Sequence, residues 1–188
     1  MRLVPPVALM LVSLVASAQQ SKPASPESVA TSVGAPWAFL ANDFVSLADA
    51  MPAERYGFVP TQGEFTGVRS FGEQVKHVAC ANYGFFAEIE GATPPGHCGD
   101  GGPSPAATKA ELMAYLRDSL AYGSRVAATL DQKDMLAVVD GPYGGPRTKL
   151  GLAVLAIWHA SDHYGQLVEY LRMNGIVPPA SRPAPATK

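Results

Sequence analysis

The 188-residue chain has only two cysteines, Cys80 and Cys98, with no CxxC pair and no cysteine cluster. A thiolate-rich zinc ribbon or finger therefore has no support. Charge is sparse too: Asp, Glu, Lys and Arg make up 16% of the residues, and the net charge is −2. The 14 Lys and Arg residues are scattered, so no basic stripe exists along which nucleic acid could bind. The apolar run near the N-terminus is too short for a bilayer span, which needs roughly 20 residues. Also missing are a Ser-His-Asp nucleophile elbow, a phosphate loop and a dinucleotide fingerprint. The length suits one domain with a full core and is short for two.

Residues 1–18 read as a signal peptide. Arg2 supplies a positive start, Val4 to Val15 a short apolar stretch, and Ala16-Ser17-Ala18 the small-x-small pattern ahead of Gln19. No cysteine follows that point, so lipid attachment there is not expected. Export to the periplasm or exterior would place Cys80 and Cys98 in an oxidising compartment, where an even count reads first as a disulfide. Such a bridge would contribute about 3 kcal/mol and pin the Gly/Pro-rich loop around Cys98 to the segment carrying Cys80. Two rival readings stand beside it: Cys80, three residues after His77, as a soft metal ligand, or two unpaired buried thiols.

Residues 19–26 form a flexible lead, and Ser25-Pro26-Glu27 is a good helix opening. Val29, Val33, Trp37, Leu40, Phe44 and Leu47 then recur at three and four, predicting an amphipathic helix that ends before Pro52. Residues 52–69 read as a long connection with one helical turn near Pro52–Arg55. Connections of this length often belong to a site. Ser70 to Glu90 is a second helix, with Phe71, Val75, Val78, Phe85 and Ile89 on its apolar side and His77 on a flank. The residues from 91 to 105 are too rich in Gly and Pro for regular structure, and His97 there reads as a solvated loop histidine.

Ser104-Pro105 opens a third helix running to about Lys133, with Leu112, Leu116, Leu120, Val126 and Leu130 inside and Gly123 as a weak point. Met135 to Val139 and the Gly/Pro-rich residues after it read as a lid-like loop rather than a strand. A fourth helix begins at Thr148 and stops at Asn174–Gly175, and residues 180–188 form a tail. The sum is an all-α four-helix bundle over residues 27–179.

On the fourth helix Leu152, Leu155, His159, His163, Gln166 and Tyr170 follow the inner-face spacing. Histidines four apart stand one turn apart on one face, close enough to share a metal ion. A lone pair at this spacing is more often two neutral, hydrogen-bonded core histidines, because a metal site needs a third ligand from another helix. His77 is the remaining helical candidate. The pair is not the zinc-protease motif, which would place a glutamate where Ala160 stands. Asp162 projects away from the histidine face.

His159-x-x-x-His163-x-Gly165-Gln166-x-x-x-Tyr170-Leu171-Arg172-x-x-Gly175-x-x-Pro178-Pro179 resembles the C-terminal pattern of the DinB-like (DinB/YfiT) metal-binding superfamily. Glu54-Arg55-Tyr56-Gly57-Phe58-Val59-Pro60 resembles its segment ahead of the second helix, and Phe71 to Ala79 its first histidine-bearing helix. The likeness spans about residues 35–180. It implies an up-down-down-up bundle and a three-histidine site on His77, His159 and His163, holding a divalent metal, usually zinc or nickel.

Characterised members of that superfamily include transferases and isomerases that use small thiols, a chemistry of the reducing cytosol that conflicts with export. The expectation is therefore an exported metal-dependent hydrolase or transferase acting on a small molecule. Asp162, Tyr164 and Gln166 are the residues next in line behind the ligands. The alternative is a non-catalytic metal- or ligand-binding bundle. A homodimer is compatible with either.

Overall fold

The computed structural model describes residues 28–94, 108–141 and 147–183. The expected signal peptide, the flexible lead, the Ser25 and Ser104 helix openings, His97 and Cys98 lie outside these residues, as does most of the tail.

Helix α1 spans Val29–Ala50, with Ser28 as its cap: the Ser28 hydroxyl accepts the Thr31 N–H at 3.0 Å. Its predicted stripe is buried from Val33 to Leu47. Pro36 lies inside the helix, a residue that usually breaks one, yet Val33, Trp37 and Leu40 are packed on either side of it. Burying each large apolar side chain is worth about 1.5–3 kcal/mol, enough to offset the local defect. After α1 comes the expected single turn, a 3-10 turn at Ala53–Arg55.

Helix α2 spans Phe71–Glu90 and opens on a capping box, in which Ser70 and Glu73 each accept the other's backbone N–H. Gly91 closes it at φ +73°, the left-handed geometry that glycine adopts without a Cβ penalty. Phe71, Val75, Val78, Phe85 and Ile89 are all buried, as the spacing predicts, and Phe86 joins them.

Helix α3 spans Lys109–Ala127, shorter than the sequence suggests. The chain tightens after Ala127, with the Leu130 N–H bonding the Ala127 carbonyl at 3.2 Å. Asp131 then takes the Lys133 N–H onto its carboxylate at 2.7 Å. A side-chain acceptor thus competes with the helix for the backbone donor. The other correction falls just beyond. Val138–Val139 is a two-residue strand, β1, paired antiparallel with β2, Arg147–Thr148, in the register Val138 opposite Thr148. The β-branched valines favour extended backbone, and the ladder folds this segment onto the start of the last helix. Helix α4 spans Lys149–Met173, capped by Thr148.

Each helix packs on two neighbours: α1 and α2 both lie against α3 and α4. Side-chain pairs set the directions. Trp37, early in α1, meets Phe86, late in α2, and its Nε1–H donates to the Leu120 carbonyl of α3 at 3.2 Å. Asp49 at the end of α1 pairs with Lys109 at the start of α3. Tyr122 and Arg125, late in α3, meet Glu90 at the end of α2, so these two helices run parallel. Tyr164 of α4 lies against Phe44 of α1, while the Tyr170 hydroxyl reaches Arg69 just ahead of α2. The bundle is therefore up-down-down-up. Trp37, Phe44, Phe71, Phe85 and Phe86 form its centre. Exposed ion pairs such as Arg172–Glu169, worth about 0–1 kcal/mol, add little by comparison.

Candidate metal centre

Antiparallel packing of α2 on α4 brings the middle of each helix opposite the other, and there His77, His159 and His163 converge. One ring nitrogen from each lies within 4.8 Å of the others. His159 and His163 are buried and His77 is half-buried. The Nε2 atoms of His77 and His159 face each other at 3.1 Å. Two nitrogens bound tetrahedrally to one ion at about 2.0–2.1 Å would sit roughly 3.3 Å apart. The pair is already at metal-bridging distance.

The third ring is oriented from behind. His163 Nδ1 lies 2.9 Å from Gln74 Oε1, an amide oxygen that can only accept. His163 therefore donates from Nδ1, and its Nε2 keeps a free lone pair, the arrangement a ligand histidine needs. His159 Nδ1, in contrast, is buried with no hydrogen-bond partner among the described residues. Its ring is held by packing, steeply tilted against Phe85 with the ring centroids 5.4 Å apart.

Protonation state follows from burial. Desolvation, then the Arg69 charge and the competing protonation of neighbouring His163, pulls His77 from its ordinary 6.5 to about 4. His159 falls to about 4 as well, through desolvation and then its two histidine neighbours. His163 is lowered by burial. All three rings are thus neutral at physiological pH, the state in which imidazole binds a metal. Three neutral nitrogen donors with no carboxylate or thiolate among them suit a divalent transition-metal ion, and His77, His159 and His163 would hold it.

Of the other residues singled out in the sequence, Asp162 is exposed, and its carboxylate accepts from Gln166 Nε2 at 2.8 Å one turn along. Asp162 reaches the histidines only through its charge, which opposes the fall in pKa of His159 and His163. Gln166 is exposed rather than on the inner face, where Leu167 and Leu171 take the core positions. It lines a cleft beside His163. The Tyr164 ring leans on Phe44 at 6.3 Å. Cys80 is half-buried and lines a second cleft with His77, and its expected partner Cys98 lies outside the described residues.

Two residues of the site escaped the sequence reading. Gln74 precedes His77 by three on α2 and so shares its face, a spacing that could have been noticed. Arg69 sits in the connection ahead of α2 and has no periodic signal. Its segment is tied down by the Tyr170 hydroxyl, which donates to the Arg69 carbonyl at 3.1 Å, and by the Phe71 N–H on the Phe58 carbonyl at 2.9 Å. Gly67, Val68 and Arg69 form the wall between the two clefts, about 370 Å³ on the His77 side and about 550 Å³ on the His163 side. The long connection is thus part of the site.

Fold and site together define a four-helix bundle with three histidines placed to hold a metal ion between α2 and α4. The chain belongs to the DinB superfamily, whose model matches residues 37–167. Among solved structures, a DinB-like protein from Bacillus subtilis superposes with a TM-score of 0.61 at 19% identity, over 77% of this chain and 92% of that one. A DinB-like protein from Bacillus cereus superposes with a TM-score of 0.65 at 16% identity, over 81% of this chain and 96% of that one. At these identities the likeness establishes the shared fold. No functionally curated protein matches the chain.

Proposed function

We propose that this protein is an exported metal-dependent enzyme, a hydrolase or transferase acting on a small molecule. The observation that supports this most is the combination of three neutral, converging imidazoles with clefts that reach His77 on one side of Gly67–Arg69 and His163 on the other. A purely structural zinc site is closed by four protein ligands, whereas a catalytic one keeps a position open. Bound there, a divalent ion supplies Lewis acidity, polarising a substrate oxygen and making water nucleophilic near neutral pH. The chain's own contribution is to hold three neutral donors, orient His163 through Gln74, and keep the inner wall dry with Phe85. The small-x-small pattern at Ala16–Ala18 supports export, and export supports a Cys80–Cys98 disulfide beside the His77 cleft.

The first measurement is the metal content of mature wild-type protein and of His159→Ala. About one equivalent of a transition metal in the wild type, lost in the variant, is expected. Carefully prepared wild type without metal would end the proposal. X-ray absorption then separates the enzyme from the non-catalytic alternative. Three nitrogen neighbours with a light exchangeable one fit the enzyme, and sulfur from Cys80 in the coordination shell fits a closed, structural site. Mass spectrometry of the exported chain under non-reducing conditions tests the N-terminus at Gln19 and the disulfide together.

A further inference from the structure

The smaller cleft carries more positive charge than the rest of this charge-poor chain would suggest. Arg69 and Lys76 both line it, together with His77, and neither forms an ion pair or a side-chain hydrogen bond among the described residues. The acids nearby are committed elsewhere. Glu73 shares the cleft and feels the charges of both Arg69 and Lys76, but its carboxylate also accepts the Ser70 backbone N–H at 2.7 Å in the capping box, and the two cations outnumber it. Glu169, on the other side of the Gly67–Arg69 wall, pairs with Arg172 at 3.8 Å. Asp162 holds Gln166 on the outer face. Arg69 also lines the larger cleft, and its charge bears on all three histidines.

Cations in excess beside the histidines are informative because the three ligands bring no negative charge of their own. Three neutral imidazoles leave a divalent ion's charge uncompensated, and Arg69 and Lys76 add to it. A neutral or cationic substrate would gain nothing from that field, whereas an oxyanion would be drawn to the ion's open side and could accept charge-assisted hydrogen bonds from Arg69. We propose that the cleft lined by Arg69, Lys76 and His77 binds the carboxylate or phosphate group of a small-molecule substrate beside the metal. This rests on the metal-enzyme reading and narrows it to anionic substrates. Arg69 forms the shared wall of both clefts, so it is the residue placed to grip such a group whichever side the remainder occupies.

The test uses cobalt-loaded mature protein, whose visible absorption reports on the metal's surroundings, with inorganic phosphate and acetate as separate probes. Both anions are expected to shift the spectrum saturably, with binding weakened by raised sodium chloride. Arg69→Gln should weaken the tighter-binding probe about tenfold or more, the range for losing one charge-assisted hydrogen bond, while cobalt content stays at the wild-type level. Lys76→Gln should weaken it several-fold, and Arg69→Lys should restore part of the loss. Lys133→Gln, beyond the far end of α3, serves as the control and should bind as wild type. Phosphate selectivity over acetate points to a phosphoryl substrate and the reverse to a carboxylate. If all variants load cobalt and bind both probes as wild type does, or if neither probe perturbs the spectrum, the anion site is refuted and the metal centre stands. If wild type takes up no cobalt, the metal reading falls and this inference with it.

Discussion

Gln74 Oε1 accepts a hydrogen bond from His163 Nδ1 at 2.9 Å, joining α2 to α4 between two buried side chains. The contact fixes which nitrogen of His163 faces His77 and His159. Gln74→Ala would leave His163 free to change tautomer and rotate. Partners of this kind are worth about 10–100-fold in metal affinity, and a loss in that range is expected from competition with a chelator. Gln74→Glu keeps an acceptor at the same place and should retain most of the affinity.

The histidine cluster also sets an acid limit for the metal-free protein. His77 and His159 titrate near 4 in the folded chain and His163 is lowered too, while all three return to about 6.5 on unfolding. Below about 6.5 the unfolded chain binds protons that the folded chain refuses, so acid favours unfolding. Stability is complete above about 6.5 and drains away as the pH falls towards 4. Urea midpoints of chelated protein across that window should show the decline, and His77→Gln with His159→Gln should flatten it. An unchanged slope in the double variant would show that the histidines are not its source.

At Gly123 of α3 the rings of Trp37 from α1 and Phe86 from α2 close in on the backbone. A Cβ there would lie 2.6 Å from ring atoms of both Trp37 and Phe86. Alanine's better helix propensity, about 1 kcal/mol, works against a steric conflict with two fully buried rings. Overpacking a core in this way costs about 1–3 kcal/mol, so Gly123→Ala should be net destabilising in urea. A stabilised variant would mean the rings yield more easily than their burial suggests.

The end of α1 depends on a tyrosine. The helical partner of the Ala48 carbonyl would be the N–H of residue 52, but Pro52 has none. The Tyr56 hydroxyl donates to that carbonyl instead, at 2.7 Å, and burial pushes its pKa up. Tyr56→Phe would leave a buried acceptor unsatisfied and should cost about 1–3 kcal/mol in chemical denaturation. Metal content should be unaffected, since Tyr56 does not reach the histidines.

Much of this protein was legible in its sequence because helices announce themselves locally. The three-and-four spacing of Val33, Trp37, Leu40 and Phe44, the Ser70 cap and the Gly175 stop follow from the period and end chemistry of one helix. So does the placement of His159 and His163 on one face. The early end of α3 and the small β1–β2 ladder were not, because each turns on a few competing hydrogen bonds, such as those of Asp131, that carry little pattern. The resemblance of the motifs from Glu54 to Pro179 carried His77 into the site, where its own flank position left it undecided between cavity and surface.

What the sequence determined by itself is the set of four amphipathic helices and the donor chemistry they carry. Only tertiary structure decided that α2 would lie antiparallel on α4, so that His77 meets His159 at 3.1 Å and Gln74 meets His163. It also decided that the connection before α2 would set Arg69 against both clefts. The reason is physical. Periodicity tells which face of a helix is buried, but contacts between residues some 80 positions apart depend on which buried faces meet, and that is settled by the packing of the whole core.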